Sequence, residues 1–294
     1  MSRLGKIVLI CAVLTAAINS TPLLYGQKPQ AEPSTLTSDK QSESLFDGST
    51  LKGWKGAEGL WRVEDCAITG QTTAGNVLKD NSFLVWEGGE LGDFELKLKF
   101  RIEAGNSGIQ YRSQDLGNFS VGGYQADIDF TQEYMGIIYD ERGRGIMCQR
   151  GKRVERSADG TANVSETGFN NESFLKKVVP SEWNEYVIRA DGNHLTQTIN
   201  GIVVADLTDG DTAGFKPSGI LALQMHVGPP MKVQFKDIVL TRLNVKDESS
   251  DSLIDLANMP IGAVCCTNFS IEPCSREFQR RIRVPRLLCG PFRR

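Results

Sequence analysis

Phe94-Glu95-Leu96-Lys97-Leu98-Lys99-Phe100-Arg101-Ile102 puts every apolar side chain at an even position and every charged one at an odd position. Successive side chains of an extended chain point to opposite faces, so this stretch predicts a strand with one dry and one wet face. A wet face fits an antiparallel sheet, because parallel sheets are covered on both sides. Working outward, Tyr186, Ile188 and Ala190 alternate up to Asp191-Gly192, and Leu195 and Ile199 lead to Asn200-Gly201 before Ile202 and Val204 resume. Asp-Gly and Asn-Gly accept positive φ at little cost, which predicts two hairpins in an antiparallel meander. Near the end, Met231, Val233 and Phe235 are odd while Ile238 and Leu240 are even. One residue inserted around Lys236-Asp237, a β-bulge, reconciles the two parities. Many short strands between Gly-, Asn- and Asp-containing turns, with no interleaved helices, predict an all-β fold over residues 45–245: an antiparallel β-sandwich or jelly roll. No internal repeat is visible, which argues against a propeller or solenoid.

The 294 residues carry a net charge of −3 and are 40% hydrophobic, enough apolar material for a sizeable core. Without a basic stripe, nucleic acid is excluded as a partner. Arg3 and Lys6 precede an apolar run from Ile7 to Ile18, so residues 1–26 read as a secretory signal peptide. The run falls short of the roughly 20 apolar residues a membrane helix needs, and export to the periplasm or outside the cell is expected, with no span left once the signal is removed. Residues 27–44, rich in Pro, Ser, Thr, Gln and Lys, predict a flexible linker. Residues 246–294 carry Arg and Cys without periodicity and predict a poorly ordered tail. Cys66 and Cys148 are the two cysteines inside the expected domain, either paired or as buried thiols, and no CxxC spacing occurs. Nothing in the sequence sets an oligomeric state.

Strand parity also locates candidate chemistry. Gln110 and Arg112 share a face opposite Ile109 and Tyr111; Gln125, Asp127 and Asp129 oppose Tyr124, Ala126 and Ile128; Gln224 and His226 oppose Leu221, Leu223 and Met225. Each strand alone is equally explained by a solvated face. Together, amides, a guanidinium, carboxylates and an imidazole predict one groove for a ligand covered in hydroxyls. The loop around Tyr139, Asp140, Glu141 and Arg142 ends in Arg144 flanked by Gly143 and Gly145, so Tyr139, Glu141 and Arg144 join the expected substrate contacts. His194 follows a turn and reads as exposed, which leaves His226 as the imidazole available for acid–base work. There is no G-x-S-x-G elbow, H-E-x-x-H motif or P-loop.

Six ordered motifs carry a resemblance: Leu45-Phe46-Asp47-Gly48 through Lys52-Gly53-Trp54, Gly92-Asp93-Phe94-Glu95-Leu96, Asn106-Ser107-Gly108-Ile109-Gln110-Tyr111-Arg112, Gly123-Tyr124-Gln125-Ala126-Asp127-Ile128, Glu182-Trp183-Asn184 and Phe235-Lys236-Asp237-Ile238. In that order they resemble the 3-keto-disaccharide hydrolase family. The resemblance implies a concanavalin A-like jelly roll acting on sugars whose C3 hydroxyl has been oxidised to a ketone. Such a ketone acidifies the C2 proton, so a base forms an enolate that expels the C1 substituent, and water adds back later. On this reading Asp127 or His226 is the base and Arg112 the cation facing the enolate oxygen. A divalent ion held by Asp127, Asp129 and His226 is the alternative stabiliser. One departure stands out: Asp65-Cys66 replaces an Asp-Gly turn usual in the family. Two competitors remain, a lectin-like binding module without turnover and an ordinary glycosidase. The latter is disfavoured because same-strand neighbours Asp127 and Asp129 sit about 6.5–7 Å apart along the chain and do not flank a sugar.

Overall fold

The computed structural model describes residues 42–243; the expected signal peptide, nearly all of the linker and the tail lie outside the described residues. In chain order the strands are β1 (Ser42–Ser44), β2 (Trp54–Lys55), β3 (Trp61–Glu64), β4 (Ala67–Gln71), β5 (Ser82–Trp86), β6 (Phe94–Ala104), β7 (Asn106–Gly117) and β8 (Ser120–Asp129). They continue with β9 (Ile138–Glu141), β10 (Gly145–Cys148), β11 (Lys152–Arg156), β12 (Ala162–Glu166), β13 (Asn184–Asp191), β14 (His194–Ile199), β15 (Ile202–Asp209), β16 (Ile220–Met225) and β17 (Lys232–Arg242). One sheet has the order β12-β11-β15-β14-β13-β6-β17-β4-β3 with β1 also on β17, and the other β10-β9-β8-β7-β16-β5-β2. The β11–β15 pair is parallel, and the ladders that build the second sheet are all antiparallel. The fold is the expected all-β antiparallel sandwich.

The opening stretch behaves as its alternation dictates: Phe94, Leu96, Leu98, Phe100 and Ile102 of β6 are buried. They meet Ile109, Tyr111, Tyr124, Ala126, Ile128, Leu221 and Leu223 of the second sheet in one core. The Phe94 and Tyr111 rings, one from each sheet, contact edge-on with centroids 6.2 Å apart. The meander β13-β14-β15 forms as expected, with Asp191 paired to His194 and Ile199 to Ile202. The bulge falls where the parity changes: the β17–β6 register shifts between Lys236 and Val239, and Asp237 takes a φ of 52°.

Three local features differ from or refine the expectation. Ser42–Ser44, read as linker, is an edge strand, pairing Ser42 with Thr241 and Ser44 with Val239. Backbone bonds to β17 hold it, and these leave no hydrophobic pattern in the sequence. The α-helix Asn171–Lys177 (α1) was not anticipated; Asn170 caps it through Ser173 N, and Phe174 is buried beneath it. Asp65 and Cys66 both adopt left-handed backbone, with φ of 53° and 55°, between Glu64 and its partner Ala67. The two-residue hairpin turn is therefore kept although Cys replaces Gly. Cys66 is exposed and Cys148 buried, and both are free thiols.

Candidate functional site

The outer face of the second sheet carries a groove of about 740 Å³ across β9, β8, β7 and β16. The parity of β8 sends Tyr124, Ala126 and Ile128 into the core and Gln125, Asp127 and Asp129 to the opposite side, where they line the groove. Gln224 of β16, His226 just beyond it, and Tyr139 and Glu141 of β9 line it as well. Seven of the ten residues singled out in the sequence therefore share one hollow.

Asp127 is 6% exposed, and the Gln125 amide donates to its Oδ1. Burial pushes its carboxyl well above the ordinary carboxylate range; Gln125 opposes the shift, while Glu141 and Asp129 add to it. Burial, followed by Glu141, Asp127 and Asp140, raises the Tyr139 hydroxyl above its ordinary value, so it stays a phenol and a donor. His226 is half-buried, and its Nδ1 bonds the Val227 carbonyl, which directs the remaining proton chemistry to Nε2. Gln224 is 1% exposed, and its Oε1 is buried without a hydrogen-bond partner. A buried acceptor left unsatisfied costs free energy, so this oxygen is open to a donor from outside the protein.

Three expected site residues lie elsewhere. Gln110 sits beneath the groove wall, fully buried, bonded to Gln125 at 2.7 Å. Arg112 is not in the groove. The β7–β8 register shifts after Tyr111, the β7–β16 register shifts opposite it, and Arg112 itself takes a φ of 46°, so the alternation that would have put it beside Gln110 is broken. Its guanidinium is fully buried and donates to Gly92 O at 2.8 Å, Gly192 O at 2.6 Å and Asp93 Oδ1 at 2.8 Å. Arg144 likewise faces away, bonded to Asp140 at 2.8 Å, Asp209 at 2.8 Å and Asp211 at 3.0 Å. The flanking glycines serve this packing: a Cβ on Gly143 would stand 2.5 Å from Asp140 Oδ1. Asp129 lines the groove, yet its oxygens accept from Thr131 N at 3.1 Å, Thr131 Oγ1 at 2.6 Å and Tyr134 N at 3.0 Å, so it organises the loop that follows β8. Among the described residues, Asp127, Asp129 and His226 do not form a cluster arranged to hold a metal ion.

Sequence reading missed Asn81 and the apolar rim. Asn81 donates to Glu141 Oε1 at 3.2 Å and accepts from Val227 N at 2.9 Å, tying β9 to the segment that carries His226. It precedes β5 in a polar stretch without periodicity, so no pattern could single it out. Tyr134 and Ile146, 44% and 43% exposed, stand on the groove wall. Such solvent-facing apolar groups beside buried polar ones characterise ligand clefts. Among the described residues, the wall carries the carboxyls of Asp127, Asp129, Glu133 and Glu141, with no Lys or Arg.

Residues 41–241 match the family model described as a 3-keto-alpha-glucoside-1,2-lyase-like domain. The chain belongs to this family. Its members' name is carbohydrate-directed, in agreement with the six motifs, and the match begins beside β1 rather than at Leu45. No curated protein matches the family member described here. Solved structures similar to it include the carbohydrate-binding module CBM66 from Bacillus subtilis, at 13% identity and TM-score 0.43, covering 64% of this chain and 95% of that one. A candidate glycosyl hydrolase from Parabacteroides distasonis ATCC 8503 gives 21% identity and TM-score 0.46, covering 69% and 94%. A protein of unknown function with a galectin-like fold from Bacillus subtilis gives 12% identity and TM-score 0.42, covering 65% and 90%. Among the described residues, no helix is long and apolar enough to cross a membrane.

Proposed function

We propose that this family member cleaves 3-keto-glycosides, 3-keto-disaccharides among them, by β-elimination in the groove of the second sheet, with Asp127 as the base. The observation that carries the reading is Asp127 itself: a nearly buried carboxyl on the groove wall, held by one amide, with its proton affinity raised by burial. A base is most effective when its pKa approaches the working pH, and burial moves a carboxyl in that direction.

Asp127 takes the C2 proton, and the C2–H electron pair forms an enolate with the C3 ketone. The enolate then re-forms the ketone as the C1–O bond breaks, leaving a C1–C2 double bond, and the departing oxygen takes up a proton. Addition of water across that double bond completes net hydrolysis. With Arg112 tied up elsewhere, the donor available to the enolate oxygen is the Tyr139 phenol on the groove wall; His226, whose Nδ1–H goes to Val227 O, donates from Nε2 only as the imidazolium. Gln224 Oε1 receives a sugar hydroxyl, and Tyr134 and Ile146 cover an apolar sugar face. The N-terminal segment supports action after export.

The test incubates the purified protein with a 3-keto disaccharide and with its unoxidised parent, following release of the leaving sugar. Release from the keto sugar alone, lost in Asp127→Asn, is the expected result. Release from the parent alone would instead support an ordinary glycosidase, and tight binding without release a lectin-like module.

A further inference from the structure

Beneath the groove wall, polar side chains of β7 and β8 connect in a single direction. Ser113 Oγ donates to Gln110 Oε1 at 2.6 Å, Gln110 Nε2 donates to Gln125 Oε1 at 2.7 Å, and Gln125 Nε2 donates to Asp127 Oδ1. All four residues are at least nine-tenths buried, so water does not compete for these bonds. An isolated glutamine can present either its oxygen or its nitrogen to a carboxyl. Here Ser113 Oγ, which also reaches Tyr111 O at 3.1 Å and Tyr124 O at 3.3 Å, makes its shortest bond to the Gln110 oxygen, and with the Gln110 amide in that orientation the Gln125 amide donates to Asp127.

Two glycines seat the chain of bonds. A Cβ on Gly108 would lie 2.5 Å from Gln125 Cδ, and one on Gly123 would lie 2.6 Å from Ser113 Oγ. Neither distance is tolerable, so both positions must stay bare for Gln125 and Ser113 to lie where they do. This accounts for the glycines in Asn106-Ser107-Gly108-Ile109-Gln110 and Gly123-Tyr124-Gln125-Ala126-Asp127.

We propose that Ser113, Gln110 and Gln125 form a hydrogen-bond relay that orients Asp127 by turning an amide N–H toward its Oδ1, with Gly108 and Gly123 kept free of side chains to accommodate it. Gln110 and Ser113 are thus positioning residues that never touch the sugar. The inference deepens the elimination reading and rests on it for its functional meaning, although the relay can be measured without substrate. The titratable groups sharing the groove with Asp127 are Tyr139 and Glu141 on β9, Asp129 on β8, Glu133 and Tyr134 in the loop after β8, and His226 beyond β16. None belongs to the relay, so they are the same in wild type and relay variants.

The experiment titrates the Asp127 carboxyl by carbon NMR in wild type, Ser113→Ala and Gln110→Leu, alongside the pH dependence of kcat/KM on a 3-keto disaccharide. Without Ser113 or Gln110 the Gln125 amide is free to turn its oxygen toward Asp127, which then favours the protonated acid. The Asp127 midpoint is expected to rise by about one pH unit, the acid limb of kcat/KM to move with it, and activity to recover at higher pH. Ser113→Thr, which keeps the hydroxyl, should restore the midpoint. An unchanged midpoint in variants that remain folded by circular dichroism overturns the relay. Should Ser113→Thr not fold, Ser113→Cys, with a weak donor, should give a midpoint between wild type and Ser113→Ala; a midpoint equal to that of Ser113→Ala also overturns it. A midpoint that moves in a protein inert toward the keto sugar leaves the relay standing and overturns the elimination reading alone.

Discussion

Replacing Arg112 with leucine separates a structural from a chemical role for the cation that the family resemblance set against the enolate oxygen. The guanidinium is fully buried and donates to three backbone carbonyls, of Gly92, Gly192 and Lys216, and to Asp93. Truncating one partner of a buried ion pair costs about 3–5 kcal/mol, because the remaining groups lose their compensation. Asp93 keeps 27% side-chain exposure, and water restores part of its loss, so the lower end, about 3 kcal/mol, applies. For a domain of this size each kcal/mol shifts Tm by about 2–4 °C, which gives a fall of about 6–12 °C. Calorimetric melting of Arg112→Leu beside wild type measures it, with activity assayed well below both transitions. The expected result is a large loss of stability with kcat largely retained in the fraction that is folded. A variant melting within about 2 °C of wild type but devoid of turnover would refute the reasoning and return Arg112 to the chemistry.

Asp127→Asn is expected to lose roughly 10²–10⁴-fold in turnover, the usual contribution of a positioned base. Since burial raises the Asp127 pKa in the folded state, ionising it disfavours the fold at pH values above that raised pKa. The Asn variant should therefore be the more stable protein at high pH, and its advantage should shrink as pH falls through the folded pKa and vanish below the ordinary carboxylate range; an advantage that grows on acidification would reverse the assignment. Gln224→Leu removes a buried unpartnered oxygen, so it should raise stability by about 1 kcal/mol while weakening sugar binding, checked by melting and by KM. Cys66→Gly relieves a left-handed backbone at an exposed turn and should add about 0.5–1 kcal/mol, read as a rise in the denaturant midpoint; no rise would show that the turn stores no strain.

Much of this molecule was legible in the residues because period-two alternation is a local property. Phe94 to Ile102 declared its buried face, and the same logic put Gln125, Asp127, Asp129, Gln224 and His226 beside one another. Parity failed at Arg112, where a left-handed residue inside β7 interrupts the count that the rule assumes unbroken. The bulge at Asp237 could be read because apolar residues on both sides changed phase, whereas polar residues follow Arg112 and no phase change is visible there. Arg144 failed for another reason: besides the nearby Asp140, its carboxylate partners are Asp209 and Asp211, and pairing across such separations leaves no trace in local spacing. Asn81 and the edge strand Ser42–Ser44 were hidden likewise, each held by bonds to distant segments.

The four carboxyls of the groove wall have a consequence for which sugars are expected to enter it. At an effective dielectric near 20, one unit charge about 4 Å from another is repelled by about 4 kcal/mol, enough to exclude an anion from an otherwise fitting cavity. With Glu133 and Glu141 beside Asp129, and no guanidinium or ammonium on the wall among the described residues, phosphorylated sugars and uronic acids are expected to meet that repulsion. On the proposed reading, neutral saccharides are therefore the expected substrates, selected by net charge before any hydroxyl is read.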